Sequence, residues 1–180
     1  MRACGELMTD SREGIERLNS ASAAEAEAEL LKCCGSTEWA RAVAARRPFG
    51  DAQELYAAAD EVWRNLSERD WLEAFAAHPR IGGRKAERAQ HAQAEGWSAE
   101  EQSGARAAAQ ATLDELAAAN RTYEEKFGHI FIVCATGKTA SEMLALLRAR
   151  LSNTPDTELR TAAAEQAKIT RLRLEKLLTT

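Results

Sequence analysis

The sequence predicts an all-α fold: one helical-bundle domain of about seven to eight helices, with no significant sheet. Three observations carry this. The 180 residues contain only 10 glycines and 3 prolines beside abundant alanine, the best helix former. Apolar residues recur at spacings of three and four along most of the chain. Ser, Thr or Asp followed three residues later by Glu or Asp, the mark of a helix start, occurs again and again. Hydrophobic residues make up 45% and charged residues 29%, a globular mix that excludes a wholly disordered or collagen-like chain. A chain of this length buries roughly 70% of its unfolded surface and needs no covalent staples.

Residues 1–17 are polar and read as a poorly ordered N-terminal extension, with the folded domain over 18–180. The pattern Ala24, Ala28, Leu30 and Leu31 predicts a helix over Ala23 to Cys34, stopped by Gly35. Trp39 and Val43 mark a short helix over Thr37 to Arg46, broken by Arg47-Pro48-Phe49. Asp51-x-x-Glu54 opens a helix carrying Leu55, Ala58, Ala59, Val62, Trp63 and Leu66. Ser67-x-x-Asp70 opens another with Trp71, Leu72, Phe75 and Ala76, which ends near His78 because Pro79 disfavours helix in the residue before it. Arg80 to Trp97, with Gly82, Gly83 and Gly96, reads as a long loop. Ser98-x-x-Glu101 starts a long helix through Leu113, Leu116, Asn120 and Tyr123 to about Lys126, stopped by Gly128. His129 to Thr136 reads as an extended buried segment with no second strand to pair with. Thr139-x-x-Glu142 caps a helix through Leu144, Leu147 and Leu151. Pro155 sits at the first position of the last helix, which runs to about Leu178.

Charge and special residues narrow the function classes. Lys and Arg total 24 against 28 Asp and Glu, so the basic excess of a nucleic-acid binder is missing. No apolar run reaches the roughly 18 residues of a membrane span. Met1 to Arg12 lacks a signal-peptide core, and Thr179-Thr180 is no peroxisomal address, so a cytoplasmic protein is expected. The four cysteines form no Cys-x-x-Cys, and His78, His91 and His129 have no metal-ligand spacing. Neither a metal nor any other cofactor is expected.

Two polar residues stand on apolar faces, and a third opens a helix after the long glycine-bearing loop. At 100° per residue, Leu159, Ala162, Gln166, Ile169 and Leu177 fall within roughly 40° of Arg173, with Arg160, Lys168 and Arg171 opposite. A guanidinium inside an apolar stripe needs an anion. That anion is either an internal Asp or Glu, or an anionic or carbonyl-rich ligand gripped by the planar fork. His78 shares a face with Trp71, Ala74 and Phe75 and is either a satisfied cap or a proton-transfer group. Glu101, with Gln102 beside it, either caps its helix or meets a ligand at the helix start.

Five motifs then occur in order: His78-Pro79-Arg80-Ile81-Gly82, Ser98-x-x-Glu101-Gln102-Ser103, Tyr123-x-x-Lys126-Phe127-Gly128, Phe131-Ile132-Val133-Cys134-Ala135 and Ile169-x-x-Leu172-Arg173-Leu174. Together with Ala45-Arg46-Arg47-Pro48-Phe49, this series resembles the 2-oxo-4-hydroxy-4-carboxy-5-ureidoimidazoline (OHCU) decarboxylases of urate degradation, over roughly Leu18 to Leu178. The resemblance implies an all-helical, cofactor-free homodimer that makes (S)-allantoin and carbon dioxide. It implies His78, Glu101 and Arg173 as catalytic residues. It implies substrate contacts from Pro79, from Ser98, Ala99, Glu100, Glu101 and Gln102, and from the backbone of Phe131, Ile132, Val133, Cys134 and Ala135. The other readings are an enzyme acting on another ureido or hydantoin compound, and a non-catalytic helical interaction module with an exposed apolar patch.

Overall fold

The computed structural model describes the backbone of residues 4–80 and 99–179 and the side chains of residues 11–80 and 110–179. Its elements are α1 (Cys4–Ser20), α2 (Ala23–Cys33), α3 (Thr37–Ala44), α4 (Ala52–Asn65), α5 (Glu68–Ala76), α6 (Ala99–Phe127), α7 (Ala140–Arg150) and α8 (Pro155–Leu178). The described residues contain no strand. The loop expected over Arg80 to Trp97 lies outside the described residues beyond Arg80, as does Ser98.

The chain divides into two compact units, Met1–His78 with Ala163–Thr180, and Pro79–Ala162. The membership of α8 is split between them. In the first unit the α2 face that packs is Ala26, Leu30 and Cys33, while Ala24, Ala28 and Leu31 are exposed. Helices α3 and α4 bury Trp39, Val43, Leu55, Ala59, Val62 and Trp63. The indoles find acceptors, as large rings with one polar atom must. Trp39 Nε1 donates to Ala59 O at 3.1 Å, Trp63 Nε1 to Ala163 O at 2.9 Å and Trp71 Nε1 to Trp63 O at 3.0 Å.

The N-terminal segment departs from its polar appearance. Where residues 1–17 read as poorly ordered, α1 runs from Cys4 through the 17/18 boundary to Ser20. Ile15 and Leu18 are buried, and Gly14 lies so close to α8 that an added Cβ would stand 2.2 Å from the Leu178 carbonyl oxygen. Arg17 Nη2 donates to Leu177 O at 2.9 Å, satisfying one of the orphan carbonyls at the end of α8. Packing against a neighbour, more than local propensity, gives this helix its order.

Helix starts follow the sequence with one variation. Thr139 and Glu142 close a reciprocal cap at α7, and at α5 Asp70 Oδ2 accepts from both the amide and the hydroxyl of Ser67. At α4, Asp51 accepts from Glu54 N, but Glu54 Oε2 takes the Gly50 amide in place of the Asp51 amide.

In the second unit Leu116, Tyr123, Phe131, Val133, Leu144 and Leu147 form one core cluster. The segment after Gly128, whose φ is +75°, is neither helix nor strand, and Phe131 through Cys134 are buried as expected while Ala135 and Thr136 are exposed. Gly128 permits this turn because residues with a side chain rarely adopt positive φ.

Candidate active site

His78 and Arg173 both belong to the first unit. His78 follows the last turn of α5, where its amide donates to Phe75 O at 3.1 Å. Its helix buries Ala74 and Phe75 on the side that carries the imidazole. The ring is half-buried, and burial lowers its pKa from the ordinary histidine value. The Arg173 guanidinium lowers it further, since a neighbouring cation disfavours imidazolium. The Gln166 amide acts in the opposite sense. It does so without closing a well-formed hydrogen bond, for His78 Nε2 and Gln166 Oε1 are both buried and lack partners.

Arg173 itself differs from its expected placing. The deeply buried stripe of α8 runs through Ala162, Ala163, Gln166, Thr170, Leu174 and Leu178. Arg173 is therefore half-buried at the margin of the stripe, where its fork can reach outward. Its Nη1 donates to Cys33 O at 3.3 Å. Among the described residues it joins no salt bridge; those of α8 are formed by Glu158, Lys168 and Arg171. Cys33 and Cys34, beside it, are free thiols pushed up to about 11 by burial, which keeps them protonated and unreactive.

The other expected site residues belong to the second unit. Pro79 opens it and is exposed. Ala99, Glu100, Glu101 and Gln102 lie in the first turn of α6. The expected cap between Ser98 and Glu101 lies outside the described residues. Phe131, Ile132, Val133 and Cys134 are buried, and Ala135 is exposed. Several carbonyls here serve the fold: Ile132 O accepts from Arg150 Nη1, and Cys134 O from Lys138 Nζ, both at 2.8 Å. The amides of Phe131, Ile132 and Val133 donate to no other described residue. Backbone donors in a buried segment suit an electron-rich ligand oxygen.

The buried ion pair considered for Arg173 exists elsewhere. Glu158 is fully buried and Arg150 is 9% exposed, and the two form a salt bridge. Arg150 Nε donates to Glu158 Oε1 at 2.7 Å, Tyr123 Oη donates to the same oxygen, and Asn153 Nδ2 to Glu158 Oε2 at 2.7 Å. Burial, then the bond to Glu158, raises the Tyr123 phenol well above its usual range. This network holds Ile132 in place. The sequence reading missed it, because Arg150 ends one helix and Glu158 opens the next, where a cation and an anion read as ordinary dipole partners. Among the described residues no three His, Cys, Asp or Glu side chains gather as a metal site.

The family model described as OHCU decarboxylase matches residues 19–175. The chain belongs to that family. The match leaves out residues 1–18, nearly all of α1. The uric acid degradation bifunctional protein TTL of Arabidopsis thaliana is 44% identical over 152 residues, 84% of this chain and 47% of its own length. The chain thus spans about half of that relative. The 2-oxo-4-hydroxy-4-carboxy-5-ureidoimidazoline decarboxylase of Haloferax volcanii is 30% identical over 161 residues, 89% of this chain and 91% of its own. A crystal structure of OHCU decarboxylase in the presence of (S)-allantoin aligns with a TM-score of 0.69 at 41% identity, covering 84% of this chain and 98% of that one. The all-helical fold is that of the OHCU decarboxylases.

Proposed function

We propose that this protein decarboxylates 2-oxo-4-hydroxy-4-carboxy-5-ureidoimidazoline to (S)-allantoin and carbon dioxide without a cofactor, in urate degradation. Within a chain of this family, the observation that carries the reading is His78: an imidazole held neutral by burial and by the Arg173 guanidinium. A neutral imidazole at physiological pH is a base ready to accept a proton.

The substrate carries carboxylate and hydroxyl on one ring carbon, next to the carbon bearing the ureido group. Breaking the bond to the carboxylate releases carbon dioxide and leaves an electron pair that the ring C=N must absorb. The ring nitrogen that receives the pair takes a proton from solvent, the hydroxyl becomes a carbonyl by losing its proton, and the ureido-bearing carbon gains one, so that one proton is taken up overall. His78 takes the hydroxyl proton. Arg173 holds the ring carbonyl and the developing oxyanion through charge-assisted hydrogen bonds. Glu101, with Gln102, grips the ureido N–H groups and directs protonation to one face. Pro79, the chain from Ser98 to Glu100, and the backbone of Phe131 to Ala135 orient the ring. That the amides of Phe131, Ile132 and Val133 donate to no other described residue supports this last role.

The test is His78→Ala. Turnover should fall by at least about 100-fold, the contribution of a positioned acid or base, with the helical spectrum unchanged. A folded variant with normal turnover would overturn the assignment. The reading extends to a homodimer, which sedimentation equilibrium tests, and to a cytoplasmic location, which cell fractionation tests. No described helix is long and apolar enough to cross a membrane.

A further inference from the structure

Gln166 is fully buried in the middle of the α8 stripe, seven residues before Arg173 and so on nearly the same face. A buried amide normally satisfies both its ends. Here the NH2 end does: Gln166 Nε2 donates to Thr170 Oγ1 at 3.1 Å. Thr170 is itself buried, and its hydroxyl stands against the Cys34 sulfur. A threonine hydroxyl has one proton and two lone pairs, so it can donate to the sulfur while accepting from Gln166. This chain of partners fixes the amide with its oxygen pointing away from Thr170. Among the described residues that oxygen has no partner, and the other buried side-chain atom that lacks one is His78 Nε2. The Gln166 side chain acts on the His78 ring as a hydrogen-bonding neighbour, so pairing these two atoms would satisfy both.

We propose that Gln166 is a positioning residue for His78: its Oε1 accepts the Nε2–H of the neutral imidazole, holding His78 in that tautomer and leaving Nδ1 as the basic nitrogen. The inference rests on the reading of His78 as the proton-transfer group. It adds which ring atom carries the chemistry and what orients it. Without an acceptor at Nε2 the neutral ring divides between two tautomers, only one of which presents a lone pair at Nδ1. The charged group acting on the ring among the described residues is Arg173. Cys33 and Cys34, protonated near neutral pH, add no charge.

The experiment is long-range proton–nitrogen NMR of the 15N-labelled full chain, with the His78 signals identified by their loss in His78→Asn. The wild type should show neutral His78 protonated at Nε2. Gln166→Met keeps the shape of the side chain without the acceptor. It should give mixed tautomers and lower kcat on the order of 10- to 100-fold, the cost of a misplaced catalytic group, with little change in KM. Gln166→Glu keeps an acceptor and adds charge. It should keep the Nε2–H tautomer, raise the His78 pKa and move the acid limb of kcat/KM to higher pH. Wild-type His78 protonated at Nδ1 would overturn the proposal without any variant. So would an unchanged tautomer and unchanged kcat in Gln166→Met. If His78→Ala turns over normally, the catalytic reading fails, while the tautomer result still decides what Gln166 does to the ring.

Discussion

His78 ties the electrostatics to stability and, in the proposed function, to catalysis. Its folded pKa lies below the unfolded value of about 6.5. The native state therefore binds fewer protons than the unfolded chain in mildly acid solution. The stability contributed by the neutral ring is complete above about pH 6.5 and is lost as pH falls through the lowered folded pKa. The urea midpoint of the wild type should drop between pH 7 and 5, and His78→Asn should flatten that part of the profile. A parallel fall in both proteins would show that His78 has no part in it. Arg173→Lys keeps charge near His78 but loses the planar fork. It should weaken substrate binding and slow turnover, each by roughly 10-fold or more, the worth of a charge-assisted pair. Unaltered kinetics would remove Arg173 from the site. Both residues were legible in the sequence because each is a polar intrusion on an apolar face. The placing of Arg173 at the edge of the stripe was not, since one helical wheel cannot tell which neighbours press on it. Gln166 could be placed on the same stripe from sequence, but its lack of a partner among the described residues is a property of packing alone.

At the level of elements, the caps and apolar spacings made α2 to α5, α7 and α8 readable to within a residue or two. Helix α1 was not readable, because few apolar residues mark it and its order comes from contacts such as Gly14 on Leu178. The burial of Phe131 to Cys134 was readable from their run of large apolar residues, but what fixes the segment was not. Arg150, at the end of α7, meets Glu158, in the first turn of α8, and holds Ile132 O between the two. Glu158→Gln leaves the Arg150 charge buried without its anion. It should destabilise the protein by about 3–5 kcal/mol, read from urea denaturation, and should also weaken substrate binding if Phe131 to Ala135 orient the ring. A loss below about 1 kcal/mol would mean that the pair behaves like a surface bridge.

On the scale of the whole molecule, the sequence reads as one domain, while the chain forms two compact units with α8 divided between them. Pro79 marks a helix end in sequence, but a helix end followed by a loop is the same signal inside one domain as at the boundary between two units. The family was legible because short motifs survive in order along the chain, and the family match over residues 19–175 covers the same span. The central claim is an activity with a handedness. The substrate decays unaided to racemic allantoin, so rate and stereochemistry can be read together. The deciding measurement is circular dichroism of freshly generated 2-oxo-4-hydroxy-4-carboxy-5-ureidoimidazoline with and without this protein. Rapid growth of the (S)-allantoin signal is the predicted result. Decay at the spontaneous rate to an optically silent product, with the protein folded, would contradict it.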